Sequence, residues 1–280
     1  MNLYVVKKVK QVNNFSDYLP FVALDAAWLT NVDFIIPFKY DHPDRWDNIS
    51  LSINFINKYF DTSIQITEQG SSYLNKKKLG IDIEKSSLNV FHRTKILNDS
   101  IKKSNKSIVV NYDADVLIPP LQLYLAVEKI ILNEADFVSP YDGRFVCVPK
   151  EEHVNIIIKD MDLGYLNYKK MKGSDRFDSL GGCIIYNRQK FIEAGMENEN
   201  FISYAPEDKE RYWRFQYLGY KLERTKGPLF HLEHFRGPDS SHKHIHYPKN
   251  QRELDKEMNM SKKELLNYIK TWSWIPKESL

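Results

Sequence analysis

The sequence predicts an α/β fold in which a mostly parallel sheet is flanked by helices. Short β-type runs at 32–38, 63–70 and 107–115 alternate with stretches at 44–60 and 89–104 whose apolar residues recur at helical spacing. This alternation is typical of parallel strands joined by crossover helices. Apolar residues make up 42% of the chain and aromatic residues 13%, which is enough for a large core and argues against disorder.

Local signals set the ends of the individual elements. Pro37 is expected to stop the first strand and Gly70 the second, because both residue types interrupt strands. A helix over 119–135 begins with prolines, which are tolerated there because the first helical amides have no partner within the helix. The later segments are predicted as a strand (136–141), an irregular charged region (141–176), a turn with a strand and a short helix (180–195), a helix (206–220), and a strand with a turn (222–235).

The domain organisation is predicted to be simple. The chain contains no repeats, low-complexity tracts or linker-like segments, so we expect a single domain over residues 1–280. An N-terminal extension of mixed character (1–31) and a charged helical C-terminal tail (about 249–280) are expected to belong to it.

Charge and cysteine content exclude several classes of protein. A formal net charge of +3 is too small for the concentrated basic face that nucleic acid requires, so no nucleic-acid partner is expected. Two cysteines, Cys147 and Cys183, are too few for a disulfide scaffold. The first residues lack the apolar core of a secretory signal, and the stretch FVALDAAWL is too short to span a bilayer. We therefore expect a protein of the cytoplasm, including the inner membrane surface, where peripheral membrane contact is an option.

The segment VVNYDADVLIPP (109–120) places Asp113 and Asp115 at the end of an apolar run, with no Lys or Arg beside them in the sequence. One interpretation is an ordinary turn, because Asp side chains bond to nearby backbone. The other is a site for a hard divalent cation, because side chains two residues apart in extended chain point the same way and ligands bind at the carboxyl ends of such strands. The motif alone leaves both open.

Three further features have equally plain alternatives. Glu207 and Asp208 open a helix, where acidic residues favour the helix dipole. His231 and His234 diverge on a straight strand, so their joint binding of a metal requires a turn. The Gly181–Gly182 pair either forms an ordinary turn or allows backbone to approach a ligand closely.

The order of these features along the chain resembles the β-1,4-galactosyltransferase type of inverting glycosyltransferase, including its bacterial relatives. That order is Asp-x-Asp, then Gly-Gly, then Glu-Asp, then His, and the resemblance covers roughly residues 33–240. It implies a GT-A fold, with a Rossmann-like sheet. It also implies metal-dependent transfer of a hexose or N-acetylhexosamine from a UDP-sugar to a glycan or lipid-linked glycan acceptor.

The resemblance implies roles for individual residues. Asp115 and His234 correspond to ligands of Mn²⁺ or another divalent cation, and His231 stands where the family has a metal-contacting Met. Asp208 corresponds to the general base, and Glu207 is expected to hold the acceptor or orient that base. Nucleotide-sugar binding is implied for Pro37, Phe38, Phe91, Arg93, Asp113, Gly181, Gly182 and Tyr204.

The chain also departs from the family pattern. The Trp-Gly-Trp-Gly-Gly segment before Glu-Asp is replaced by ISYAP (202–206), so Tyr204 stands for a Trp, and Ala205 and Pro206 stand for glycines. This change leaves a non-catalytic nucleotide- or glycan-binding protein as an alternative. A nucleotidyltransferase is disfavoured, because such enzymes have a Gly-rich phosphate loop after the first strand and residues 37–46 contain no glycine.

Overall fold

Ten strands form two sheets in the described part of the chain. The computed structural model describes residues 27–70, 83–86, 90–237 and 240–277. The strands are β1 (Ala27–Lys39), β2 (Phe60–Gln69), β3 (Ile83–Ser86), β4 (Ile108–Tyr112), β5 (Val116–Leu117), β6 (Phe137–Ser139), β7 (Phe145–Val148), β8 (Cys183–Asn187), β9 (Leu222–Arg224) and β10 (Leu229–Leu232).

The helices lie mainly between the strands in the chain. They are α1 (Pro43–Tyr59), α2 (Arg93–Lys103), α3 (Pro120–Ile131), α4 (Lys150–Ile158), α5 (Arg188–Glu193), α6 (Glu207–Leu218), α7 (Tyr247–Met258) and α8 (Lys262–Ile269), with a 3₁₀ turn at Tyr168–Lys170. Proline occupies the first turn of α1, α3 and α7, as expected of a residue that lacks an amide proton.

The main sheet confirms the predicted α/β architecture. Its seven strands run in the order β3-β2-β1-β4-β8-β6-β9, and all neighbouring pairs are parallel except the two that involve β8. A smaller sheet has the order β5-β10-β7. Strands β1, β2 and β4 are connected through α1 and α2, which gives the strand–helix–strand arrangement that the sequence predicts.

Alternation along the strands produces two core layers. Phe34 and Ile36 of β1 pack into one cluster with residues of α1 and α3, whereas Ile35 packs into another with residues of α2, α5 and α6. Val110 and Val109 of β4 divide between the same two clusters. Because successive side chains of a strand point to opposite faces, this division places helices on both faces of the sheet.

Pro37 does not stop β1, contrary to the sequence-based expectation. Strand β1 extends to Lys39, and Pro37 pairs with Thr67 of β2, whereas the pairing of β1 with β4 ends at Ile35. Proline is tolerated here because the hydrogen-bonded ladder between β1 and β4 ends before position 37.

The sequence predicts an irregular region over 141–176, and the structure shows that this prediction is wrong for part of the region. It contains β7 and α4, and β7 pairs with β10, more than eighty positions later in the chain. The pattern of residues within β7 does not indicate that it pairs with a strand so far away in the sequence. Within the described ranges, no helix combines the length and apolar character needed to cross a bilayer.

The C-terminal helices pack on α6 through both apolar and polar contacts. Trp272 lies beneath the guanidinium of Arg214, which forms an ion pair with Glu210 in the interior. Glu257 of α7 lies beside Glu210 and accepts a hydrogen bond from the Asn198 amide. Burial, together with the charge of Glu210, raises the pKa of Glu257 well above its ordinary value.

This raised pKa predicts that stability falls with increasing pH. Glu257 is protonated in the folded chain at a pH where it is ionised in the unfolded chain, so folding takes up a proton. The stabilisation is complete below the unfolded pKa and is lost as pH rises toward the folded pKa, at up to about 1.4 kcal/mol per pH unit. Glu257→Gln should flatten the dependence of the free energy of unfolding on pH between 6 and 8, as measured by urea titration.

An exposed carboxyl of helix α4 provides the control. Glu151→Gln, in the first turn of α4, should leave the slope of the wild type unchanged. A Glu257→Gln protein with the wild-type slope would contradict a buried protonated carboxyl at this position.

Candidate active site

A cleft of about 230 Å³ lies where β1 and β4 end and where α2 and α6 begin. This is the edge of an open α/β sheet at which ligands usually bind. Eleven of the thirteen residues predicted from the sequence line the cleft: Pro37, Phe38, Phe91, Arg93, Asp113, Asp115, Tyr204, Glu207, Asp208, His231 and His234.

The two aspartates of the Asp-x-Asp segment lie in the turn between β4 and β5 and have different partners. Arg93 donates to Asp113 Oδ1 over 2.7 Å, and Arg45 donates to Asp115 Oδ2 over 2.7 Å. Each aspartate therefore has an arginine partner in space, although no Lys or Arg lies beside it in the sequence. The two arginines lie 20 and 70 positions away from their partners in the sequence, so the residues around the aspartates did not reveal these pairings.

Asp115 forms a compact cluster with the two histidines. Its Oδ2 atom is 3.0 Å from His234 Nε2, and its Oδ1 atom is 3.8 Å from His231 Nε2. One ligand atom from each of the three residues lies within 4.8 Å of the others. Strand β10 ends at Leu232, so His231 projects from the strand and His234 from the loop after it. The backbone departs from a straight strand here, as joint binding requires.

Hydrogen bonds orient His234 toward the cluster. Its Nδ1 atom lies 2.6 Å from the carbonyl oxygen of Phe235, and a carbonyl only accepts, so Nδ1 carries the proton. The Nε2 atom therefore faces Asp115. This backbone support of the remote nitrogen is the usual arrangement of a metal-binding histidine.

The protonation of the cluster also suits cation binding. Burial lowers the pKa of His231 to about 4, so its ring is neutral at physiological pH. Burial would raise the pKa of Asp115, but His231, the hydrogen bond from His234 and the charge of Arg45 outweigh it and hold the pKa below its ordinary range. The cluster thus offers an ionised carboxylate and the neutral imidazole of His231, and donors of these types suit first-row divalent ions.

Arg93 connects Asp113 to the acidic start of α6. Its Nη1 atom lies 3.7 Å from Glu207 Oε1 and 3.5 Å from Asp208 Oδ1. Asp208 Oδ1 also accepts a 2.5 Å hydrogen bond from Arg211, whose guanidinium is buried and pairs with Glu197. One end of the cleft is therefore a network of carboxylates held together by Arg93, which lines the cleft, and by the buried Arg211.

The two carboxyls at the start of α6 differ in protonation. Burial and the charge of Asp208 raise the pKa of Glu207 above its ordinary value. Burial would also raise the pKa of Asp208, but Arg211 and Arg93 lower it more. The side chain of Asp208 is 31% exposed and that of Glu207 only 11%, so the accessible carboxyl is the one that is ionised.

Gly181 and Gly182 do not line the cleft, but they contact two aspartates that do, Asp208 and Asp113. The Gly182 carbonyl accepts a 2.9 Å hydrogen bond from the backbone amide of Asp113. A Cβ atom at Gly181 would lie 2.3 Å from Asp208 Oδ2. Glycine at 181 therefore leaves the space that the Asp208 carboxylate occupies.

The 202–206 segment is fixed by a side chain of the C-terminal tail. Asn250 of α7 is buried and donates to the carbonyls of Ile202, Tyr204 and Ala205 over 2.9, 3.2 and 3.0 Å. Ala205 has a φ of +41°, in the left-handed region that favours glycine. The Tyr204 ring meets His242 edge to face, with the ring centres 5.0 Å apart.

Several lining residues were not predicted as site residues. They are Lys39, Asp41, Ala114, Phe145, Ser203 and Ser240, with Arg45 and Arg236 as the arginines of this group. Arg45 lies in the first turn of α1 within the run DHPDRW. Its one signal in the sequence is its position at the positive end of a helix dipole. A cation is unfavourable there without nearby anions, so this position indicates that Arg45 has anionic partners.

The close approach of Gly181 to Asp208 yields a prediction about stability. In Gly181→Ala the new methyl group displaces a carboxylate that Arg211 holds, so we expect a loss of about 1–3 kcal/mol in the free energy of unfolding. In an Asp208→Ala background the same substitution should cost much less. Equal costs in the two backgrounds of this double-mutant cycle, measured by urea unfolding, would contradict the contact.

Comparison with known proteins gives similarity at the level of structure. No family model and no curated protein matches the sequence. S. aureus TarS (residues 1–349, in complex with UDP-GlcNAc) has a TM-score of 0.56 at 13% identity, over 84% of this chain and 71% of that TarS chain.

Two other solved structures match with lower scores. The catalytic domain of Drosophila β1,4-galactosyltransferase 7, in complex with xylobiose, has a TM-score of 0.43 at 13% identity, over 69% of this chain. The chain spans 63% of that domain, less than two thirds. Glucosyl-3-phosphoglycerate synthase from Mycobacterium tuberculosis, with Mn²⁺, UDP-glucose and phosphoglyceric acid, has a TM-score of 0.44 at 15% identity, over 74% of this chain and 73% of the synthase. The chain has the GT-A fold of glycosyltransferases.

Proposed function

We propose that this protein is a metal-dependent inverting glycosyltransferase, which moves a hexose or an N-acetylhexosamine from a UDP-sugar to a glycan hydroxyl. The observation that carries the proposal is a single cleft, in a GT-A fold, that contains both a carboxylate–imidazole cluster and the Glu207–Asp208 pair. The similarity to TarS, a structure with UDP-GlcNAc, supports a UDP-sugar as donor.

Asp115, His231 and His234 would hold the divalent cation, with Mn²⁺ as our choice. Their ligand atoms are close enough together, Asp115 is ionised, and the Nε2 atom of His234 faces the cluster. A cation bound there would act as a Lewis acid and neutralise charge on the departing diphosphate.

The donor nucleotide would occupy the part of the cleft between Phe38, Phe91 and Arg93. The half-buried Phe91 offers an apolar ring face to a base, whereas Phe38 is buried beneath the cleft. The Asp113 carboxylate, which is 31% exposed, accepts hydrogen bonds of the kind that ribose hydroxyls donate. Arg236, an exposed cation of the cleft, would attract the diphosphate.

Asp208 would act as the general base. It is the accessible, ionised carboxyl of the pair, so it would accept the proton of the acceptor hydroxyl while that oxygen attacks the anomeric carbon. Attack in line with the departing diphosphate inverts the anomeric centre. Glu207, which is more buried, would orient Asp208 through their shared partner Arg93.

The acceptor would bind beside Tyr204. Its ring forms an aromatic group with His242 and Tyr247 at the cleft, and aromatic faces pack well against the apolar faces of sugar rings. A glycan or lipid-linked glycan acceptor, a galactosyltransferase-like donor preference, a cytoplasmic place of action and a single domain over 1–280 are parts of the same proposal.

The proposal predicts metal-dependent cleavage of a donor. Incubated with a panel of UDP-sugars and Mn²⁺, the protein should release UDP slowly by transfer to water, and chelation should abolish the release. Asp115→Asn should do the same, because it removes the carboxylate of the metal cluster. Full release after rigorous metal removal would contradict the site. Binding of UDP without any release would favour the non-catalytic alternative.

The role of Asp208 predicts a separation of rate from binding. Asp208→Asn keeps the shape but removes the base, so turnover with acceptor should fall by about 10²–10⁴-fold. Affinity for UDP with Mn²⁺, measured by calorimetry, should change little. The exposed residue Asp47 provides a matched control, and Asp47→Asn should retain wild-type turnover. Loss of UDP binding in Asp208→Asn would assign this residue to the donor site.

A further inference from the structure

The guanidinium of Arg45 contacts ligand atoms of the carboxylate–imidazole cluster, which consists of Asp115, His231 and His234. Its Nη1 atom is 2.7 Å from Asp115 Oδ2 and 3.1 Å from His234 Nε2, and its side chain is only 15% exposed. A divalent cation would use the same oxygen and the same nitrogen at roughly 2 Å. The guanidinium in this position and a bound cation therefore exclude each other, both sterically and by charge.

Arg45 makes its other contacts with two further residues of the cleft. Its Nε atom donates to Asp41 Oδ1 over 3.2 Å, and its Nη2 atom donates to Ser240 Oγ over 3.2 Å. Both are long for hydrogen bonds from a charged guanidinium, whereas the contact with Asp115 is short. Asp115 is thus the main attraction that holds the guanidinium inside the cleft.

We propose that Arg45 is an exchangeable counter-ion of the metal site, which occupies the cation's place until the donor diphosphate draws it away. The inference rests on the proposed function, because it takes Asp115 and His234 as metal ligands. A guanidinium forms paired hydrogen bonds with phosphate as well as with carboxylate, so a diphosphate in the cleft offers it an equivalent partner. A short rotation of the Arg45 side chain exchanges one anion for the other.

This exchange makes the cation and the donor depend on each other. Without a diphosphate, the cation must break the Arg45–Asp115 ion pair before it binds. With a diphosphate present, Arg45 gains a new partner and Asp115 becomes available. The coupling is reciprocal, so the diphosphate strengthens cation binding by the same factor by which the cation strengthens diphosphate binding.

Calorimetric titration of Mn²⁺ and of UDP, each alone and each in the presence of the other, tests the proposal. Arg45→Met should bind Mn²⁺ alone about tenfold more tightly than wild type, and UDP alone more weakly. The factor by which UDP strengthens Mn²⁺ binding should fall by about tenfold, within the usual range of coupling between sites. Arg45→Gln, which keeps a polar side chain, should behave in the same way and guards against a folding defect in the Met variant.

Arg236→Met and Asp115→Asn are the controls. Arg236 is a second arginine of the cleft, and its loss should weaken UDP binding while Mn²⁺ affinity changes little. If Asp115→Asn weakens Mn²⁺ binding and the Arg45 variants bind Mn²⁺ like wild type, the exchange is refuted and the metal site stands. If Asp115→Asn leaves Mn²⁺ binding intact, or if no variant binds Mn²⁺, the metal site of the proposed function fails, and the exchange fails with it.

Discussion

The arrangement of the cleft depends on the compensation of clustered, partly buried carboxylates by arginines. Arg93 bonds to Asp113 at the end of β4 and lies within 4 Å of both acidic residues at the start of α6. Buried charges are costly unless they are paired, and an unpaired partner left behind costs several kcal/mol. Arg93 therefore joins the strand end to the helix start, and Arg211 continues the network into the interior through Glu197.

The C-terminal tail contributes to the cleft without entering it. Asn250 fixes the carbonyls of the 202–206 segment, and the buried contact of Glu257 with Asn198 attaches the same helix to the body of the fold. Tyr204 is thus positioned by Asn250, a residue 46 positions later in the chain. Since the backbone at Ala205 has a positive φ, which ordinary residues rarely adopt, this external support accounts for a conformation that glycine would reach unaided.

Much of the architecture followed from the sequence, because it rests on local patterns. Alternating and helical apolar periods located β1, α1, β2, α2, β4 and α3, and the parallel order of the first strands followed from their alternation with helices. The sequence did not predict β7, because its pairing partner β10 is remote in the sequence. The prediction that Pro37 ends β1 was wrong, because the tolerance of a strand for proline depends on which neighbouring strand is present.

The sequence by itself determined the fold class and most residues of the cleft, since motifs at strand ends and helix starts meet at one edge of an α/β sheet. Only the tertiary structure decided the partner of each charge. Asp113 and Asp115 are two residues apart, but they face Arg93 and Arg45 from different helices. The energy of an ion pair depends on distance and burial in space, and neither quantity is encoded in the spacing of residues along the chain.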